Sequence, residues 1–352
     1  MTRLKKHPAG NLTQFRAWIQ QRLHQRKQQG RMRSQIIFAV DGVYHKLAER
    51  LWSSAQMMCW QAVFPPTSST CWLSSLTGQR VDEHGVAGVV YRPQSASQAL
   101  VNICDYQGEA ITATRENIFT DATRYGYLPQ AIVGDLMSIE GSWTRALLAG
   151  AAYVDQTPFF TRSPLPSTQM LIAEIEETVK LALGRSQHPT LIWCFIDIDK
   201  YIHLHGYDRY VTDFLQQLEL LALRLTEQKT DVIAHADHGL VPTRHSERVA
   251  RTLRELSEKF SAPMGGAGRT RWFYADQAKC QDLQQALRTT IGHIADVVLR
   301  ETVSNECDFA AIGKLVIIAR GETFIAPDGY IYDHGSLLPQ ELYVPCALWE
   351  SV

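Results

Sequence analysis

Several short segments of this sequence bring carboxylates, imidazoles and hydroxyls together at spacings that can do chemistry. Asp41 closes the apolar run Gln35 to Val40 and is followed by Gly42. Alone, Asp-Gly at a strand end is a turn signal. The segment Phe64-Pro65-Pro66-Thr67-Ser68-Ser69-Thr70 breaks a second apolar run with prolines and then presents hydroxyls where a helix should start. A hydroxyl at a helix N-terminus lies in a positive end-field, which favours both its alkoxide and an incoming phosphate. Asp199 and His203 stand four residues apart, so on a helix they share one face. Asp237-His238-Gly239 follows a strand-like run, and its glycine permits the bend that lets neighbouring side chains converge. Asp333-His334-Gly335 repeats that pattern near the C-terminus.

Carboxylate oxygens and imidazole nitrogens converging from different strands are what a pair of divalent ions about 3.5–4 Å apart requires. A mixed Asp/His set favours zinc or manganese over calcium.

Elements must bring these segments to one place. Gln35 to Val40, Trp60 to Phe64, Leu191 to Ile196 and Val232 to Ala234 read as strands, as do Arg271 to Tyr274, Leu315 to Ile318 and Leu342 to Leu348. Tyr44 to Met58, Ser68 to Leu76, Gln169 to Leu183 and Tyr210 to Thr226 have helical spacing. Such alternation predicts an α/β fold with a mostly parallel sheet flanked by helices, with the site at the carboxyl ends of the strands. Two turn-rich stretches, near 86–166 and 240–314, are expected as insertions forming a cap over a catalytic domain of residues 35–352.

The order Asp, Ser/Thr, D-x-x-x-H, D-H-G, H-G resembles the alkaline-phosphatase superfamily, especially its type I phosphodiesterase/nucleotide pyrophosphatase branch. Phe64 to Gly85, with Leu76-Thr77-Gly78 and Glu83-His84-Gly85, is similar to that branch's nucleophile region. Asp333-His334-Gly335-Ser336-Leu337-Leu338-Pro339-Gln340-Glu341 resembles the PglZ-like branch. The resemblance implies an alkaline-phosphatase-like fold and two metal sites. Asp41, Ser68, Asp237 and His238 would hold one ion, and Asp199, His203 and His334 the other. Zinc is implied first, manganese second. Ser68 would be the nucleophile, forming a phosphoseryl intermediate in a phosphodiesterase-like reaction on a small, nucleotide-like phosphoester. A phosphomonoesterase, a group transferase in biosynthesis and a non-hydrolytic PglZ-like module are the alternatives.

The resemblance has departures. Nucleotide pyrophosphatases usually carry threonine as nucleophile and asparagine three residues later, where this chain has Ser68 and Cys71. Thr67 and Thr70 are neighbouring hydroxyls that a shifted helix start would promote. Asp197, His205 and His235 sit beside expected ligands and read as supporting or exposed residues. Met264 to Arg271 carries a glycine cluster with Arg269 and Arg271, a weak candidate for a phosphate nest with arginine clamps and more simply a turn before a strand.

The remaining features narrow the partners. Nine basic and no acidic residues occur between Met1 and Gln35, and removing them from a net charge of −1 leaves about −10 on the rest. This basic N-terminal extension, residues 1–34, suits a helix with Leu12, Phe15, Ile19 and Leu23 on one packed face, or else a docking arm for a polyanion. The near-zero net charge argues against nucleic acid as the partner, and no apolar window is long enough to span a membrane. Seven scattered cysteines without a CxxC pair lead to the expectation of reduced thiols and a cytoplasmic protein.

Overall fold

The computed structural model describes residues 8–93, 99–108, 116–134, 141–160, 163–303 and 310–350. Arg3, Lys5, Lys6 and Cys307 lie outside the described residues.

The central sheet has eight strands: β1 (Gly10–Asn11), β2 (Gln35–Val40), β3 (Gln56–Gln61), β6 (Leu128–Ile132), β7 (Tyr153–Asp155), β8 (Thr190–Ile196), β9 (Asp231–His235) and β18 (Tyr343–Trp349). Their order is β1-β3-β18-β9-β2-β8-β6-β7. Only β18 is antiparallel to its neighbours, pairing β3 and β9, so the other seven strands run one way. The middle strands β2, β8 and β9 are buried along their whole length. Their uninterrupted apolar runs are what a sheet covered on both faces demands.

A second, six-stranded sheet is antiparallel. It contains β4 (Val90–Tyr91), β5 (Val101–Asn102), β12 (Met264–Ala267), β13 (Thr270–Phe273), β14 (Ala295–Leu299) and β15 (Leu315–Ala319), in the order β14-β15-β13-β12-β4-β5. The helices Glu247–Phe260 and Gln277–Ile291 help build its own core, with Leu253, Phe273, Leu283, Leu287 and Ile317. Two short ladders complete the chain: β10 (Val241–Pro242) pairs antiparallel with β17 (Tyr332–Asp333), and β11 (Arg244–His245) pairs with β16 (Thr323–Phe324).

Several expected boundaries move. The stretch near 86–166 is divided: β4 and β5 join the second sheet, but β6 and β7 extend the central one. The strands expected at Arg271 to Tyr274 and Leu315 to Ile318 belong to the second sheet. The helix expected over Tyr44 to Met58 covers only His45–Leu51. It stops at Trp52, whose indole donates to the Leu215 carbonyl, and the chain turns into β3. Met57, Met58 and Trp60 suit a helical face as well as a sheet near its edge, so periodicity alone cannot separate the two.

The N-terminal segment is part of the fold. Gly10 and Asn11 pair with Trp60 and Gln61, and the helix Phe15–Gln28 buries Phe15, Ile19 and Leu23. Its arginines are used internally. Arg26 holds Asp231 through two bonds of 2.9 and 3.0 Å, and Arg16 reaches Asp121 at 2.7 Å. No helix among the described residues is long and apolar enough to cross a membrane.

Candidate active site

The ends of the central strands deliver the chemistry. Asp41 follows β2, Asp199 opens the helix Asp199–His205 just after β8, and Asp237 and His238 follow β9. Because β18 runs the other way, the loop before it arrives at the same edge, carrying His334. Ser68 is the first residue of the helix Ser68–Thr77, with extended Thr67 as its N-cap.

These residues converge. Among the described residues, three overlapping groups each place their ligand atoms within 4.8 Å of one another: Asp41, Asp237 and His238; Asp199, His238 and His334; and His203, Asp333 and His334. The seven positions expected from sequence lie together. Ser68 Oγ is 3.2 Å from His238 Nε2 and 3.4 Å from Asp41 Oδ1. His203 Nε2 is 3.0 Å from Asp199 Oδ2, and the rings of His238 and His334 stack at 3.7 Å.

Burial sets the electrostatics. Asp41, Asp237 and His238 are at most 2% exposed. Burial, with repulsion from Asp237 and Asp199, pushes the Asp41 carboxyl well above its ordinary range. Burial and Asp199 push Asp237 up to about 8, while burial pulls His238 well down. For His203, burial acts downward, but Asp199 outweighs it and holds the imidazole at about 9. Asp199 is correspondingly drawn below the usual carboxylate range, with His203 outweighing burial.

Asp199 Oδ1, Asp237 Oδ2 and Asp333 Oδ2 are buried without a hydrogen-bond partner. Carboxylate oxygens in that condition are costly unless a cation meets them. The imidazoles are already aimed: His203 Nδ1 faces the Tyr332 carbonyl at 2.8 Å and His334 Nδ1 faces that of Pro66 at 3.0 Å. Each Nδ1 therefore donates its proton to a carbonyl, which turns Nε2 towards the cluster; in the metal-free chain the His203 Nε2 is paired with Asp199. The donor set fits divalent metal.

Neighbouring candidates separate clearly. The Thr67 hydroxyl lies against Ser69 and Thr70, and Thr70 donates to the Pro65 carbonyl at 2.6 Å. Cys71 is fully buried, its sulfur 4.0 Å from the Val63 carbonyl. His205 is exposed, and His235 is buried, stacked on Phe15 at 3.9 Å. Asp197 caps the Lys200 amide at 3.3 Å. His84 accepts from the Val86 amide and bonds Ser74, away from the cluster.

The guanidinium groups of the two arginines bond other partners than the ligand cluster. The Arg269 guanidinium is fully buried between Glu341, Thr243 and the Gly321 carbonyl. Arg271 donates to the carbonyls of Gly268 and Thr270. The hairpin of β12 and β13 acts through its backbone instead. The Arg269 amide donates to the His334 carbonyl at 2.6 Å, and the Thr270 hydroxyl to that of Gly335 at 2.5 Å. A Cβ at Gly268 would stand 2.0 Å from the His334 carbonyl oxygen, so only glycine admits this approach.

Sequence reasoning passed over two residues. Asp333 places Oδ1 4.0 Å from His203 Nδ1; its place beside His334 was the available signal. Trp72 donates from Nε1 to Asp41 Oδ2 at 3.1 Å, and nothing in the sequence announces a bond across thirty-one positions.

A family model described as type I phosphodiesterase/nucleotide pyrophosphatase matches residues 36–333. The chain belongs to that family. The match spans every expected site residue except His334, the next in sequence. It makes the chain a metal-dependent phosphoester hydrolase with an alkaline-phosphatase-like fold. Among solved structures, phosphonoacetate hydrolase from Sinorhizobium meliloti 1021 in complex with phosphonoacetate is similar, with TM-score 0.66 and 18% identity over 90% of each chain. Murine ectonucleotide pyrophosphatase/phosphodiesterase 5 gives TM-score 0.61 and 15% identity over 90% of this chain and 88% of that one. The human protein of that name gives 0.59 and 13% over the same shares. At these identities the likeness is one of fold. No curated protein matches the chain.

Proposed function

We propose that this chain hydrolyses a small organic or nucleotide-like phosphodiester through a phosphoseryl intermediate on Ser68, using two divalent ions, zinc ahead of manganese. Asp41, Ser68, Asp237 and His238 would hold one ion, and Asp199, His203 and His334 the other. The observation that carries the reading is Ser68 Oγ standing 3.2 Å from His238 and 3.4 Å from Asp41 at the start of a ten-residue helix. Bound there, the ions would lower the pKa of the hydroxyl, neutralise phosphoryl oxygens and activate the water of the second step. Ser68 Oγ attacks phosphorus as the bond to the first alcohol breaks, and water then cleaves the phosphoseryl ester, freeing the serine and a phosphomonoester. The first-turn amides of the Ser68–Thr77 helix point their positive end at the developing charge.

Two neighbours in fold suit this choice of substrate size: the bacterial enzyme was solved with phosphonoacetate, and an inactive form of the murine protein in complex with AMP. Cys71 favours a second reading. It occupies the sequence position where nucleotide pyrophosphatases usually carry asparagine, and its buried thiol cannot donate as an amide does, which suits a monoester or group-transfer reaction.

The test is hydrolysis of paired chromogenic phosphate monoesters and diesters, with zinc or manganese, by wild type and Ser68→Ala. We expect diester turnover that falls at least about a thousandfold in the variant. Monoester turnover alone selects the second reading. No turnover by folded, metal-loaded protein defeats both hydrolytic readings and leaves group transfer or a non-hydrolytic module.

A further inference from the structure

Tyr207 is not an expected ligand, nucleophile or substrate contact, yet its hydroxyl lies between two of the site's turns. It donates to the Gly42 carbonyl at 2.7 Å and accepts from the Leu240 amide at 2.8 Å. Gly42 directly follows Asp41, and Leu240 stands two residues after His238. The strands β2 and β9 pair directly as far as Ala39 and His235, and beyond that pairing the turns separate from the ladder. The Gly42 amide reaches Asp237 Oδ1 at 3.3 Å, and the Gly239 amide bonds the Glu341 carbonyl at 3.3 Å.

The tyrosine itself is held from every side. It follows Gly206, whose φ of +72° ends the helix bearing Asp199 and His203. A Cβ at Gly206 would stand 2.6 Å from the Tyr332 ring. Tyr207 packs edge-on against Tyr44 at 5.0 Å and Tyr332 at 5.6 Å, and Tyr332 precedes Asp333 and His334. Segments carrying Asp41, Asp199 with His203, Asp237 with His238, and His334 therefore meet at this one side chain.

We infer that Tyr207 is a positioning residue that fixes the spacing of the Asp41 and Asp237-His238 turns, and so sets the affinity of the site for its metal. Gly42 and Leu240 are both buried, so losing the hydroxyl leaves a carbonyl and an amide without a partner, and the turns must shift to satisfy them. A tyrosine ring between packed rings has little freedom, so the spacing it imposes is narrow. This inference rests on the reading that the cluster holds divalent ions.

The experiment is zinc competition against a colorimetric chelator, using full-length wild type, Tyr207→Phe and Tyr44→Phe, with urea midpoints of the metal-free proteins measured alongside. Tyr207→Phe should weaken zinc binding about tenfold or more, while Tyr44→Phe, which keeps the two bonds, binds as wild type. The metal-free midpoint of Tyr207→Phe should fall far less than the loss of zinc affinity implies. Tyr207→4-aminophenylalanine, which restores a donor at the same point, should recover part of the affinity and serves as the probe if Tyr207→Phe does not fold. Wild-type affinity in Tyr207→Phe, or no recovery with the amine, overturns the positioning role. A wild type that binds neither zinc nor manganese overturns the metal reading and this inference with it, an outcome distinct from the first.

Discussion

The two halves of the ligand cluster are built on opposite electrostatic terms. Asp199 and His203 form a pair 3.0 Å apart in which each stabilises the other's charge. Asp41 and Asp237 have no such partner: His238 beside them is held neutral by burial, and both carboxyls are pushed upward. One half compensates itself, and the other is short of positive charge. A divalent ion therefore relieves more repulsion at the Asp41–Asp237 half, which is also the half that Ser68 touches.

Removing one carboxylate from each half breaks the comparison most sharply. Asp237→Asn and Asp199→Asn should each weaken zinc binding by at least about a hundredfold, beyond what losing a supporting hydrogen bond costs. Their metal-free stabilities should diverge. Asp237 has its folded pKa raised to about 8, so it contributes stability below its unfolded pKa that is lost as pH rises through about 8. Above that pH, Asp237→Asn should raise the metal-free urea midpoint. His203, held at about 9, contributes stability below its unfolded pKa that is lost as pH passes about 9. Asp199→Asn removes its partner and should lower the midpoint at neutral pH. Midpoints that fall alike in both variants would contradict the asymmetry.

Trp72 offers a smaller effect on one half alone. Its indole N–H orients Asp41 at 3.1 Å, while its ring packs edge-on against Trp193, Phe195 and His235. Trp72→Phe keeps most of that packing and removes the bond. Zinc affinity should drop about tenfold, with the Asp199–His203 pair unaffected. Chelator competition resolving two binding steps checks this; weakening of both steps would mean that the halves are not independent.

The difference between the halves tracks what the sequence could reveal. Asp199 and His203 lie four residues apart on one helix, so their pairing is local and legible. Asp41, Ser68 and Asp237-His238 come from three elements, and only the order of motifs suggested that they meet. The long apolar runs of β2, β8 and β9 announced a buried parallel sheet, and the residues at their ends followed. The second sheet was only half legible: β13 and β15 read as strands, but β12 reads Met-Gly-Gly-Ala, a turn signature, because its glycines serve close backbone approach. Gly265 would strike Trp272 and the Val90 carbonyl if it carried a Cβ. Arg269 looked like a phosphate clamp because a charged side chain in a glycine-rich turn is ordinarily exposed. Its buried partner Glu341 lies seventy-two positions away.

The smallest effect concerns His84, which the E-H-G motif drew towards the site and the structure puts to another use. Its Nδ1 accepts from the Val86 amide at 3.2 Å and its Nε2 faces the Ser74 hydroxyl at 3.0 Å. Burial holds its pKa down at about 3, with Asp82 opposing weakly. The folded chain thus keeps His84 neutral where the unfolded chain, with a pKa near about 6.5, takes up a proton. Its contribution to stability is present above the unfolded pKa and is lost as pH falls towards about 3. Between about pH 7.5 and about pH 5 this amounts to about 2 kcal/mol. His235, lowered to about 3, and His238 and His334, also lowered by burial, contribute with the same sign. His84→Gln should therefore remove about 2 kcal/mol of the acid-side fall in stability, read as a shallower drop in the urea midpoint. A variant that loses stability equally at both pH values would show that the neutral imidazole at His84 is not what acid attacks.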